Sequence, residues 1–153
     1  MRLKIRTVIS ENDEDEIVIN CKERTDKIIF LEDVIKNAVG TSDTLLLTSA
    51  DTQFFIPIKD ILFCESTDGK TVCHTENNIF FSSYKLYELE IIMPLIFTRA
   101  SKSCLINCKR IYSIKKNISG SSEVRFDSSS KKAYLSRSYY KQFMEKMNEM
   151  RLR

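Results

Sequence analysis

Apolar and polar positions alternate with a period of two over most of this chain, and switch to helical spacing in only three places. Short apolar runs at 44–49, 53–56, 61–65, 70–75, 79–82, 96–99, 110–115, 123–127 and 132–135 predict strands. The links between them carry turn chemistry. Asp68-Gly69 and Asn77-Asn78 predict hairpin turns, the second because Asn tolerates positive φ, and 117–122 and 128–130 are rich in Ser, Gly and Asn. Ser82 or Ser83 is placed to cap a short helix over 84–92, which Pro94 ends. Helical spacing recurs from about Ser138, where Tyr139 or Tyr140, Phe143, Met147 and Met150 form a packing stripe.

The first forty residues form a pattern of their own. Residues 3–9 alternate as a half-buried strand, 11–16 make an acidic turn, and 17–21 predict a second strand. Thr25 or Asp26 caps a helix to Ala38, with Ile28, Leu31, Val34, Ile35 and Ala38 on one face and Gly40 as its stop. The chain therefore divides into a β-β-α unit over 1–40 and a mainly β domain over 41–153.

Composition changes this picture by exclusion. The chain has 153 residues, 42% of them hydrophobic and 29% charged, the balance of an ordinary globular domain. Its apolar runs are short of the roughly 20 residues of a membrane span, and the N-terminus lacks a signal peptide's apolar centre. A cytoplasmic protein is expected. Five cysteines with no C-x-x-C pair argue against a disulfide framework, and Cys64 suits core packing. Catalytic chemistry finds little footing. The single histidine, His74, follows Cys73 in a predicted strand, so the two side chains point to opposite faces and make a poor nucleophile–base pair. Cys104, Cys108 and His74 have no zinc-site spacing, and three glycines leave no phosphate-cradling loop. No catalytic residue, metal, cofactor or small-molecule substrate is expected.

Charge is unevenly divided. From Phe97 onward there are 14 Lys and Arg against 4 Asp and Glu; before it there are 10 against 17. The whole-chain value of +3 hides a basic half suited to an anionic partner. That half opens with F-T-R-A-S-K-S-C-L-I-N at 97–107, which sets Arg99, Ser101, Lys102 and Ser103 beside an apolar anchor. Such a loop suits phosphates and base edges. Arg137, in Ser136-Arg137-Ser138, lies where the last helix starts, and a helix N-terminus with Ser hydroxyls holds phosphate well. Lys70 follows the Asp68-Gly69 turn, with Thr71 beside it.

Three of these stretches together resemble the LytTR family of DNA-binding domains. They are I-P-I-K-D-I-L-F-C-E-S at 56–66, F-T-R-A-S-K-S-C-L-I-N at 97–107 and Y-L-S-R-S-Y at 134–139, in the family's order and spacing. The resemblance covers roughly residues 45–147. It implies an elongated antiparallel β fold of about ten strands and a bacterial transcription regulator that reads double-stranded DNA without a helix-turn-helix. Loops from the sheet edge would enter successive major grooves at promoter direct repeats. By motif position, Lys102 would contact bases, Arg137 would serve the C-terminal loop, and Lys70 or Thr71 the early one. Arg99, Ser101 and Ser103 would hold backbone or shape the loop, and Ser138 and Lys141 complete the DNA-facing set. Ser138 stands where many members carry a second basic residue. Family members often carry a receiver domain, for which the forty-residue leader has no room. The leader resembles that of stand-alone regulators encoded beside a small membrane protein, and implies a homodimerisation or partner surface.

Three other readings remain open from sequence. A protein-partner module with weak or lost DNA binding would scatter the basic loops over different faces. An RNA-binding β protein would need exposed aromatics on a sheet face for stacking; Phe80 and Phe81 are candidates, but on alternate faces at least one must be core. A thiol enzyme would need an activated Cys73 or Cys104.

Overall fold

The computed structural model describes residues 16–39 and 43–151. Among these there are three α-helices, two short 3-10 turns and ten strands. In chain order they are α1 (Asp26–Ala38), β1 (Thr44–Ser49), β2 (Thr52–Pro57), β3 (Phe63–Thr67), β4 (Lys70–His74) and β5 (Ile79–Ser82). Then follow α2 (Leu86–Ile92), β6 (Phe97–Ser101), β7 (Cys104–Asn107), β8 (Ile111–Lys115), β9 (Ser122–Phe126), β10 (Lys132–Leu135) and α3 (Arg137–Arg151). Seven strands make one antiparallel sheet in the order β2-β1-β5-β4-β3-β7-β6, and three make a second in the order β10-β9-β8.

Period-two alternation explains how one sheet serves two cores. In β7, Leu105 faces a cluster with Leu47, Ile61, Cys64, Leu89 and Ile92, so that face carries α2. Its neighbours Cys104 and Ile106 face the other way, onto Phe63, Val124, Leu135 and Phe143, so that face carries the small sheet and α3. Cys64 and Cys73 are directly opposed on β3 and β4, both fully buried, with the Cys64 thiol donating to the Cys73 sulfur at 2.8 Å. The small sheet and α3 cover the β3-β7-β6 half of the large sheet. Beyond it, Leu46, Phe55, Ile79 and Phe81 remain exposed.

Several expectations need correction. Residues 17–21 form no strand; Ile17 and Val18 are exposed, and no strand among the described residues lies alongside them. The expected strand at 3–9 lies outside the described residues. The leader helix α1 is not separate from the β domain: Phe30 and Val34 pack on the α2-side core, Phe30 meets the Tyr84 ring, and the Tyr84 hydroxyl donates to Asp33. Cys104–Asn107 is a strand, one that its short run and Asn ending concealed. The β4–β5 link is closed by Thr75, whose amide donates to the Asn78 carbonyl at 3.1 Å, and neither Asn77 nor Asn78 takes positive φ. Lys85, not a serine, caps α2, while Ser82 Oγ accepts from the Tyr84 amide just ahead of it.

Candidate nucleic-acid interface

Strand register brings the basic loops to one end of the large sheet. Antiparallel pairing of β3 with β4 closes on Thr67 opposite Lys70, across a two-residue turn. Asp68 and Gly69 take φ of 50° and 74°, the left-handed pair of a type I′ hairpin. Pairing of β3 with β7 sets Glu65 opposite Cys104, and the Ser66 amide donates to the Ser103 carbonyl at 2.9 Å. The Ser101–Ser103 turn therefore lies beside the Asp68–Gly69 turn. The third loop joins through Ser136, whose amide donates to the Ala100 carbonyl at 2.8 Å and fixes the start of α3 against β6. Lys70, Lys102 and Arg137 are all exposed and all sit at this end.

The central loop is built by its own side chains. Ser101 Oγ accepts from the Ser103 amide at 3.2 Å, a hydroxyl standing in for a backbone turn bond. The register shifts between Arg99 and Ser101, a bulge that re-aims the strand end. Arg99 is only 18% exposed in its side chain; its Nε donates to Glu90 at 2.8 Å and its Nη1 to the Lys102 carbonyl at 2.6 Å. Arg99 is thus committed to bracing the loop, while the Lys102 side chain makes no hydrogen bond or ion pair among the described residues.

The other expected residues divide in the same way. Lys70 lies over the Phe81 ring, 5.7 Å from its centre, and keeps its ammonium at the surface. Thr71 is 4% exposed, so of the two early-loop candidates only Lys70 stands clear of the surface; strands on both sides cover Thr71. Arg137 is the first residue of α3 and Ser138 the second; the Ser138 hydroxyl lies 3.2 Å from that of Ser136. Lys141 is exposed one turn further on.

Two groups near this end were not singled out by sequence. Lys85 Nζ donates to the Gly69 carbonyl at 3.4 Å, tying the start of α2 to the type I′ turn. Gln142 and Lys146 of α3 line, with Arg99 and Lys102, a cleft of about 390 Å³ between that helix and β6. Their signal was present: they follow Tyr139 at i+3 and i+7, on the border of the apolar stripe, where polar side chains stay wet.

Other cations of the basic half are consumed elsewhere. Arg110 donates to Asp127 at 2.7 Å, to Glu76 at 2.6 Å and to the Lys59 carbonyl at 3.0 Å. Lys131 donates to the Asn78 carbonyl at 2.6 Å, and Arg125 and Lys132 both pair with Glu123. The Arg110 and Lys131 contacts gather around the β4–β5 link, the opposite end of the sheet.

No activated group emerges. Burial pushes the Cys104 thiol up to about 12 and raises those of Cys64 and Cys108, which holds all three as inert thiols at neutral pH. His74 stacks on Phe63 with ring centres 4.2 Å apart and bonds Glu65 through Nε2 at 2.8 Å; burial lowers its pKa despite that carboxylate. Phe80 is core and only Phe81 is exposed, as their opposite faces on the strand require. Among the described residues no cluster of three or more His, Cys, Asp or Glu could hold a metal, and no helix is long and apolar enough to cross a membrane.

Known proteins place this architecture. No curated protein matches the chain. A solved structure resembles it, the LytTr DNA-binding domain of a Bacillus cereus protein described as a methyl-accepting/DNA response regulator. The match has a TM-score of 0.64 at 22% identity, covers 69% of this chain and 97% of that one, and shows a shared fold. The family model for the LytTr DNA-binding domain matches residues 51–148. With ten antiparallel strands, the two-sheet arrangement and that match over most of its length, the chain belongs to the LytTr DNA-binding domain family.

Proposed function

We propose that this chain is a transcription regulator that binds specific double-stranded DNA sequences through the loop end of its large sheet. The observation that carries the reading is the convergence of Lys70, Lys102 and Arg137 at one end, each exposed, while Arg99, Arg110 and Lys131 are spent internally. Lys102, at the tip of a braced turn, reads base edges in a major groove. Arg137 enters the next groove, with Ser138 and Lys141 on the first turns of α3 holding the backbone beside it, and Lys70 holds the preceding stretch. Ser101 and Ser103 shape the turn, Arg99 steadies it, and Thr71 is part of the strand packing behind it. Phosphate contacts supply much of the affinity, so binding weakens steeply with salt. Spaced loops rather than one helix suit promoter direct repeats.

The test is a gel-shift titration on the gene's own promoter. Lys102→Ala and Arg137→Ala should each cost about 1–3 kcal/mol, with discrimination between sequences relaxed. Unchanged affinity in both variants removes this reading surface.

A protein-partner role has one observation in its favour. Leu46, Phe55, Ile79 and Phe81 expose an apolar face on the uncovered half of the large sheet, and such faces mark association surfaces. It leaves Lys102 and Arg137 clear and meets the DNA-facing set only at Phe81, over which Lys70 lies. Sedimentation of Phe55→Lys against the unaltered protein checks it; identical molar masses would count against a dimer through this face.

A further inference from the structure

The outer edge of the large sheet lacks the features that keep an exposed edge from pairing. β2 ends the strand order, with β1 on one side and no strand among the described residues on the other. A two-residue turn closes the β1–β2 hairpin with Ser49 opposite Thr52, a pair that exchanges both of its backbone bonds. Alternation then turns the N–H and C=O of Gln53 and Phe55 away from β1, and neither residue finds another backbone partner among the described residues. Exposed edges are ordinarily blunted by charge, proline or a bulge. Residues 52–56, Thr-Gln-Phe-Phe-Ile, carry no charge and pair with β1 in unbroken register, and only Pro57 closes the ladder at one end. Phe54 is 37% exposed and Phe55 72%. Around this bare edge stand three exposed carboxylates, Asp43, Asp51 and Asp60, with no ion pair among the described residues.

We propose that residues 3–9 of the same chain add to this edge as a further strand beside β2. These residues, Leu-Lys-Ile-Arg-Thr-Val-Ile, lie outside the described residues, and their sequence alternates with the period a strand needs. Their backbone supplies the missing partners of Gln53 and Phe55. Leu3, Ile5 and Ile9 fall on the Phe54 face, where they extend the core that holds Leu45, Leu47 and Ile56. Lys4 and Arg6 fall on the Phe55 face, their aliphatic stems over that ring. Charge favours the same pairing: residues 1–9 hold Arg2, Lys4 and Arg6 and no acid, opposite Asp43, Asp51 and Asp60. The chain also reaches. α1 packs Phe30 and Val34 on the same core, and the 16 residues between Ile9 and Asp26 span up to about 50 Å when extended. A second copy of β2 fits less well. Antiparallel pairing of β2 with itself sets Asp51 near the copy's Asp60, like charges at close range, and points the two loop ends in opposite directions. The assignment gives the leader a structural role and stands without the DNA reading.

Amide hydrogen exchange on the full chain tests this, read at Gln53, Phe54 and Phe55. The Phe54 amide faces Leu47 and is protected in any case, so it reports that the hairpin is folded. Gln53 and Phe55 should exchange roughly tenfold or more slowly than in a free peptide. Lys4→Pro combined with Ile5→Pro removes donors at successive positions, one of which must face β2. Both Gln53 and Phe55 should then return to near free-peptide rates, with Phe54 still protected. Arg6→Glu should also speed both, through repulsion from the hairpin's carboxylates. Free-peptide rates at Gln53 and Phe55 in the unaltered chain overturn the proposal, and so does protection that survives the double proline variant. Protection that fades on about hundredfold dilution would assign the edge to a second copy, and overturns it too. If Phe54 loses protection in the double variant, Arg6→Glu carries the decision: unchanged exchange there overturns the pairing.

Discussion

Arg99→Met separates a residue that touches DNA from one that positions the residue that does. Methionine keeps an unbranched stem against β6 and removes the guanidinium. Two bonds disappear, from Nη1 to the Lys102 carbonyl at 2.6 Å and from Nε to Glu90 at 2.8 Å. A hydrogen bond from a charged donor contributes about 1.5–3 kcal/mol when enclosed. Here the carbonyl belongs to an exposed turn and water replaces part of the loss. The Glu90 pair, with that carboxylate 43% exposed, contributes at most about 1 kcal/mol. The net cost to folding is about 1–2 kcal/mol, which in a chain of this length lowers the melting temperature by roughly 3–6 °C. Freed from its brace, the turn samples other geometries, and DNA affinity falls by about 1 kcal/mol, some fivefold. A double-mutant cycle decides between the roles. If Arg99 acts through Lys102, its effect on DNA binding nearly vanishes in a Lys102→Ala background, a coupling on the order of 1 kcal/mol. Additive losses measured by fluorescence anisotropy would show that Arg99 contacts DNA itself, and the bracing argument would be wrong.

Arg110→Met should lower stability by about 1–3 kcal/mol in chemical denaturation, since it strips a guanidinium from two carboxylates and a carbonyl. DNA affinity should stay within twofold, and a larger loss would mean that the opposite end of the sheet also meets DNA. Gly69→Ala should cost about 1 kcal/mol, because Gly69 has φ of 74° while nothing lies within 4 Å of the added Cβ. A larger loss in a melting scan would show a packing role the open space denies. His74 supplies a pH signature. Its folded pKa is depressed by burial, so its contribution is fully present above the ordinary value of 6.5 and is lost as pH falls through the folded value. Stability should decline on acidification just below pH 6.5, and His74→Phe should flatten that limb of the curve; an unchanged limb would assign it to other groups.

Strand positions were legible wherever alternation met a turn signal. The runs at 44–49, 79–82 and 132–135 match β1, β5 and β10 to the residue. β7 was not legible, since all four of its residues are buried between the two cores and show no alternation of exposure. Residues 17–21 had the composition of a strand, but strand formation needs a partner, which composition does not report. Motif order is what singled out Lys102 and Arg137 as candidates. Thr71 was a candidate because sequence does not show that β4 has neighbours on both sides. The α3 half of the cleft escaped notice because Gln142 and Lys146 become neighbours of Lys102 only when the Ser136–Ala100 bond sets the helix against β6.

That bond also explains why net charge misleads here. The basic half is +10 by count, yet its guanidinium and ammonium groups meet different fates according to which end of the sheet they reach. Carboxylates and carbonyls meet Arg110 and Lys131 around the β4–β5 link, and those cations become structural. At the turn end, Glu90 is matched to Arg99, and Lys102, Arg137, Lys141 and Lys146 have no carboxylate partner among the described residues. A uniform basic surface would bind any polyanion in any register. Cations retained at one end, on turns whose spacing is set by strand pairing, bind a polyanion in one register. Neutralising charge at the two ends should therefore differ in kind as well as size: loss of Arg110 weakens the fold, while loss of Lys102 or Arg137 leaves the fold intact and loosens the choice of sequence.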